Sequence, residues 1–427
     1  MTTPNPTPRK SIAVIGSGVA GLTAAYLLDA RHEVTLFERN DYAGGHTNTV
    51  DVSSGPDRGL AIDTGFIVLN DRTYPLFRRL LARLGVPTQD SDMSFAFASE
   101  VTGLQYAGTD LGGLFAQRWN LINPRFHQLL HGITRFCQTA RADLYSGRLS
   151  GRTVGDYLKW RKIPARTVSN YIVPMAGAIW SASAAGIRDF PAETLVRFWD
   201  NHGLLSLKNR PQWMTVQGGS QAYVKKMHAL WKVRVVLKAD LEHVRREDAG
   251  PVVRHRDGRE QRFDAVVLAA HADESLKLLA DASPDEQRLL GPWTYQPNHT
   301  VLHTDPRCMP SNRRAWASWN YVERPQTAAT TPVAVTYHMN RLQQLRAGQD
   351  YFVTLNGADY IARDKILREF TYHHPEFSFA SLSTQRELPS LNGVRNTYFC
   401  GSYFGYGFHE DAVAAGVAVA DALGAPL

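Results

Sequence analysis

Gly16, Gly18 and Gly21 stand at the spacing of a GxGxxG turn, in the run Gly16-Ser17-Gly18-Val19-Ala20-Gly21. Each glycine has a physical task in binding a dinucleotide. Gly16 permits the tight turn, Gly18 lets a pyrophosphate approach the backbone, and Gly21 lets helix and strand pack closely. A helix opening behind them offers unpaired N–H groups and a partial positive charge to the phosphates. Glu38 follows at the distance of an acid that accepts bonds from both ribose hydroxyls. A 2′-phosphate would be repelled there, with only Arg39 beside it to favour one. A second concentration of reactive side chains lies near the other end, where Tyr403, Phe404, Tyr406, Phe408 and His409 crowd together. His409 or Glu410 has the chemistry of an acid or base; capping the helix or binding a cofactor is the alternative role for both. His373 and His374 are adjacent, so in a strand their rings point apart, and a surface or packing role is expected. No nucleophile-base-acid arrangement and no metal-ligand spacing is present. Cys137, Cys308 and Cys400 lie far apart.

The elements that must position these residues read as α/β. Ser11 to Ile15 is a β-branched run, expected as a buried parallel strand. Val19 to about Ala30 has a helical pattern and Val34 to Phe37 is a second strand, which completes a βαβ unit. From about Thr73 to Arg210 the pattern is mainly helical. Val233 to Val244 and Arg262 to Ala270 return to strand character. From about Thr300 to Leu355 alternations dominate, with Val333, Val335, Tyr337 and Met339 expected on one face. Val413 to Leu423 is a small-residue helix. The expected organisation is two domains built from separated pieces of chain. Residues 1–72, 211–290 and 390–427 make a dinucleotide-binding domain, and residues 73–210 and 291–389 make a substrate domain.

Composition sets the outer limits. The chain has 427 residues, 44% hydrophobic and 20% charged, with a formal net charge of +7. That excludes wholesale disorder and favours anionic partners weakly. Met1 to Lys10 is polar and Pro-rich, expected as a disordered tail without the apolar core of a secretory signal. No apolar stretch is long enough to span a membrane. A cytoplasmic protein is expected, and nothing resembles a nucleic-acid module.

The residues that follow Glu38 narrow the nucleotide. Gly44-Gly45-His46-Thr47 places a glycine doublet shortly after the ribose acid. Here the chain resembles the flavin amine oxidase and phytoene desaturase superfamily, most of all its bacterial FAD-dependent oxidoreductases and more distantly its polyunsaturated fatty acid isomerases. His46 stands where the family usually has Arg. The resemblance extends through Thr64-Gly65-Phe66, through the Gln217 to Tyr223 segment, and through Leu241, at the position that packs on adenine. A core leucine is the other reading of Leu241. It ends in Gly401-Ser402 and in the helix opening at His409-Glu410-Asp411-Ala412. It implies a Rossmann-like FAD-binding domain with an interleaved α+β substrate domain, and FAD as cofactor. Cofactor contacts are then expected from Gly16 to Gly21, Glu38, Arg39, Gly44 to Thr47, Thr64 to Phe66, Leu241, Ala269, Gly401, Ser402 and His409 to Ala412. Tyr403 and Tyr406 would flank the flavin as the aromatic pair of amine oxidases, with His409 the third expected catalytic residue.

With a single GxGxxG, the flavin would be reduced by the organic substrate itself. The expected partner is a hydrophobic small molecule, foremost an unsaturated fatty acyl chain, undergoing desaturation, oxidation or isomerisation. An amine oxidase and a non-catalytic binding protein like the GDP dissociation inhibitors are the alternatives. Trp293, Tyr295, Trp316, Trp319 and Tyr321 are candidates for the opposite wall of the substrate cavity. Leu111, Leu114, Phe115, Trp119, Ile122 and Phe126, followed by Leu129, Leu130, Ile133 and Phe136, recur at helical spacing among four arginines, Arg118, Arg125, Arg135 and Arg141. Helices packed on the core are one reading of that segment, and a membrane-facing or lipid-admitting surface is the other.

Overall fold

The structure is a computed structural model that describes residues 9–206, 208–325 and 330–427. Most of the expected N-terminal tail lies outside the described residues. The chain opens with strand β1, Ser11–Ile15, helix α1, Val19–Leu28, and strand β2, Glu33–Phe37. All but the first residue of each strand is buried, so the apolar runs that announce them are the runs that build the sheet. Five parallel strands stand in the order Arg234–Val236, β2, β1, Ala265–Leu268, Thr397–Phe399. The chain therefore builds outward from β1 in one direction and then in the other. A crevice forms at the carboxyl ends where the direction reverses, which is where open α/β sheets bind ligands.

A seven-stranded sheet forms the second layer. Its order is Ile366–Glu376, Thr294–His303, Phe352–Leu355, Val335–His338, Trp319–Glu323, Phe95–Ser99, Gln105–Ala107. Every pairing is antiparallel except Trp319–Glu323 with Phe95–Ser99. The mainly helical segment expected from Thr73 to Arg210 thus contains strands as well, at Thr88–Asp90, Phe95–Ser99 and Gln105–Ala107. All three are short; Phe95–Ser99 is buried on both faces and Thr88–Asp90 is largely exposed, so neither burial pattern announces a strand by a two-residue polarity rhythm. The single face expected for Val333, Val335, Tyr337 and Met339 is found, since all four pack into one apolar cluster, but the strand is shorter than the alternation. The strand is Val335–His338, all four of its residues are buried, and Met339 opens a short helix.

The long helix Pro124–Tyr145 packs its Phe126 and Leu129 into the same apolar cluster as Phe97, Tyr106 and Val353 of the sheet. The C-terminal helix, His409–Ala422, lies on α1. Gly416 allows that approach, because a Cβ there would stand 2.5 Å from the carbonyl oxygen of Ala20. Among the described residues no helix is long and apolar enough to cross a membrane.

Candidate active site

One continuous cavity of about 770 Å³ runs from the crevice of the parallel sheet to the seven-stranded sheet. Its first end is built by the glycine turn. The N-terminus of α1 has no side-chain cap and no acid in its first turn, and Gly18 at that end lines the cavity. A Cβ built on Gly18 meets nothing within 4 Å, so the space before it is open. Gly21 faces the other way, where a Cβ would fall 1.9 Å from the carbonyl oxygen of Gly16. It sets helix against strand and is not part of the wall.

Glu38 is 6% exposed yet lines the cavity. One carboxylate oxygen accepts from the Ser17 N–H (3.0 Å) and hydroxyl (2.5 Å), and the other from the backbone and side-chain nitrogens of Asn40 (both 2.8 Å). The carboxylate is therefore fixed in position, each oxygen already accepting two hydrogen bonds, so a ribose hydroxyl would bond it by sharing or displacing one of these donors. Arg39 pairs with Glu274 at 2.6 Å, so its charge is already matched. Leu241 and Ala269 complete this end of the wall.

The middle of the cavity is lined by Gly44, Gly45, His46, Thr64, Gly65 and Phe66 from the N-terminal side and by Gly401, Ser402, Tyr403, Tyr406, His409 and Ala412 from the C-terminal side. Thr47 lies behind the wall, where its hydroxyl bonds that of Tyr223 at 2.6 Å. The Tyr223 hydroxyl in turn meets Nε2 of His409 at 3.1 Å. The His409 ring stacks on Phe66, with centroids 3.6 Å apart. Burial pulls its imidazole down to about 3, so it is neutral at neutral pH. Tyr403 packs on Trp293 and Phe404, while Tyr406 faces Phe198. Gln385 holds the loop that carries them by donating to the carbonyls of Tyr403 and Gly405.

Glu410 and Asp411 do not reach the wall. Glu410 accepts the backbone N–H groups of Leu76 and Phe77, at the start of the helix Pro75–Leu84. Asp411 accepts the N–H of Phe408 and caps its own helix. Helix starts leave such N–H groups unpaired, and both acids satisfy them. Burial pushes Glu410 up to about 7 and Asp411 up to about 6. Cys400 is also buried outside the wall, with its thiol pushed up to about 12.

Two histidines expected on the surface or in packing line the cavity instead. His373 and His374 do face opposite ways, but the cavity passes the end of their strand and meets both. His374 lies 5.3 Å from His46, and His373 lies 6.1 Å from His271. Burial pulls His374 down to about 4 and His46 well below its usual value. His46 also stacks on Tyr372, whose hydroxyl is bonded to Asn48 and Thr64.

The far lobe is apolar and aromatic. Trp180, Phe198 and Phe408 form its wall, with Phe198 stacked on Phe408 at 4.4 Å and on His202 at 3.8 Å. Of the strand aromatics proposed for the opposite wall, Tyr295 and Trp319 are there. Trp293, Trp316 and Tyr321 are not: they pack on Tyr403, Phe352 and Phe97 respectively. Sequence reasoning alone misses Trp180, Phe198, His202 and Arg210. Phe198 and His202 stand four residues apart on and just after the helix Ala192–Asn201, the spacing that stacks two rings, and that signal was available. Among the described residues the acids that line the cavity are Glu38, Asp240 and Glu274, all at the nucleotide end. Among the described residues the far lobe carries one charged side chain, the exposed Arg210, whose Nε donates to the Ser206 carbonyl at 2.9 Å.

The residues present fit FAD. An uncapped helix end, open space before Gly18 and a fixed carboxylate lie at one end of a cavity that continues far beyond them. The comparisons agree. The model of the family described as flavin containing amine oxidoreductase matches residues 19–329. The Mycobacterium tuberculosis protein named "Putative flavin-containing monoamine oxidase AofH" is 27% identical over 306 residues, covering 68% of this chain. The match spans 63% of that relative's length. Among solved structures, the CLA-producing fatty acid isomerase from P. acnes superposes with a TM-score of 0.67 at 18% identity, over 99% of both chains. Putrescine oxidase bound to putrescine gives 0.70 at 14% identity, over 98% of this chain and 99% of that one. These structures share the fold. The chain belongs to the flavin-containing amine oxidoreductase family, and its cofactor is FAD.

Proposed function

We propose that the protein is an FAD-dependent oxidoreductase that acts on an unsaturated fatty acyl chain, by desaturation, oxidation or isomerisation. The observation that carries this reading is the far lobe: aromatic walls, no carboxylate among its described residues, and the single guanidinium of Arg210. A cationic amine would find no counter-charge there. A fatty acid would find one for its carboxylate and apolar surface for its chain, each buried CH2 contributing about 0.8 kcal/mol. FAD, when bound, supplies the two-electron acceptor for the substrate carbon.

The chain's own residues do the rest. Trp180, Phe198 and Phe408 hold the substrate and exclude water. His202 and His374, both pulled by burial down to about 4, add no charge to the cavity at neutral pH. We place His409 as a positioning residue, because it is neutral, stacked on Phe66 and tied through Tyr223 to Thr47. Tyr403 and Tyr406 serve as walls. The shared fold of the fatty acid isomerase supports the reading, and the three unpaired cysteines support a cytoplasmic location.

The test is to incubate the enzyme with oleate, linoleate and their methyl esters, alongside primary amines, with mass analysis of products. Conversion of the free acids, with the Arg210→Gln variant raising KM for acids and not for esters, is the expected result. Turnover confined to amines, with peroxide release, would overturn it.

A further inference from the structure

We propose that the exposed ridge of Leu111, Trp119, Leu121 and Ile122, flanked by Arg118 and Arg125, docks the protein on an anionic lipid bilayer. The four apolar side chains are 74%, 68%, 51% and 69% exposed. Trp119, Leu121 and Ile122 sit on a turn folded inside out, and Leu111 opens the short helix Leu111–Leu114 that precedes it. Asn120, between Trp119 and Leu121, is 3% exposed, while both neighbours point to solvent. The turn is pinned in that state. Asn120 donates to Gln117 and accepts from Asn123, and the His127 ring bonds the Leu121 carbonyl at 2.9 Å. Gln117 donates to the Gly103 carbonyl, and Asn312 to that of Ala116. The polar groups are spent on holding the shape, and the apolar ones are left outside. A ridge of this kind inserts at the boundary of headgroup and acyl chain, with Trp as its interfacial anchor.

Charge selects the occupant. No Asp or Glu occurs between Asp110 and Asp143, a stretch that carries Arg118, Arg125, Arg135 and Arg141. Arg118 and Arg125 are exposed and pair with no acid among the described residues. A basic rim around an apolar centre complements an anionic lipid surface. The ridge also adjoins the catalytic cavity. Gly108, three residues before Leu111, is exposed and forms part of the cavity wall. A substrate dissolved in the bilayer would therefore meet an opening beside the docked surface. The docking stands independently of which substrate the lobe accepts.

The test is flotation of the FAD-loaded protein with vesicles of phosphatidylcholine alone and of phosphatidylcholine mixed with phosphatidylglycerol. The wild type is expected to float with the mixed vesicles and to be released by salt. Trp119→Ser/Ile122→Ser should lose at least tenfold in binding while keeping flavin content and thermal midpoint. Arg118→Gln/Arg125→Gln should lose roughly fivefold per arginine and the preference for the anionic vesicles. Failure of the wild type to float, or equal flotation of the Trp119/Ile122 variant, would overturn the proposal. So would a concentration-dependent dimer, abolished by that variant and unaffected by vesicles, because the ridge would then be an interface between copies.

Discussion

Glu38 and Arg210 both line the cavity, Glu38 buried at the nucleotide end and Arg210 exposed to solvent. Glu38 is bonded by Ser17 and Asn40, so its geometry is set before any ligand arrives. Glu38→Gln keeps the shape and removes the charge. It should weaken FAD binding by about 1.5–3 kcal/mol, or roughly 10- to 100-fold in Kd, measured by titrating the apoprotein. Unchanged flavin affinity would remove the ribose role. Arg210 offers the opposite contrast, a charge at an apolar wall that distinguishes acids from esters.

The glycine turn separates cofactor binding from folding at the scale of the β1–α1 unit. A Cβ on Gly18 enters open space, whereas one on Gly21 strikes the Gly16 backbone. Gly18→Ala should leave the thermal midpoint of the apoprotein unchanged and impair FAD retention. Gly21→Ala should destabilise the fold by roughly 3 kcal/mol or more, read by chemical denaturation, because helix and strand must part. If both variants only lower stability, the turn has no ligand role. This unit was legible in the sequence because its parts are contiguous and each glycine has a separate steric task. For Leu241, which opens the strand Leu241–Glu247, the structure shows a place on the cavity wall. The substrate lobe was not legible. Trp180, Phe198 and His202 stand on or beside distant helices, and only the packing brings them against Phe408, which the crowded C-terminal aromatics did announce. Glu410 and Asp411 misled for a related reason: sequence shows acids at a helix start but not which N–H groups they face. His373 and His374 were read as non-functional because a strand separates their faces, and only the path of the cavity connects them.

Across the whole molecule, burial makes titration a report on folding. His46, His202, His303, His374 and His409 are all pulled below their usual value. For each, the unfolded chain takes up a proton near 6.5 that the folded chain refuses until lower pH, about 3 to 4 for His202, His303, His374 and His409. The stability they contribute is complete above pH 6.5 and is lost as pH falls toward 4. Asp63, Glu410 and Asp411 oppose this, because their raised values make the folded chain hold protons longer, and their contribution is lost as pH rises through 6 to 7. The histidines outnumber them, so the thermal midpoint should fall from pH 6.5 to 4. His202→Phe, which keeps the stack on Phe198, should flatten that fall. An unchanged slope in the variant would mean that His202 is charged in the fold.

In the proposed function FAD and an acyl chain share one cavity and react directly. The most direct measurement is anaerobic mixing of the flavin-loaded protein with linoleate, followed through the flavin absorbance at about 450 nm and by mass and chromatographic analysis of the lipid. The expected result is bleaching that depends on the acid, or a shifted double bond with the absorbance restored, and neither with putrescine. An unaltered spectrum and unaltered lipid, together with bleaching by an amine, would contradict it.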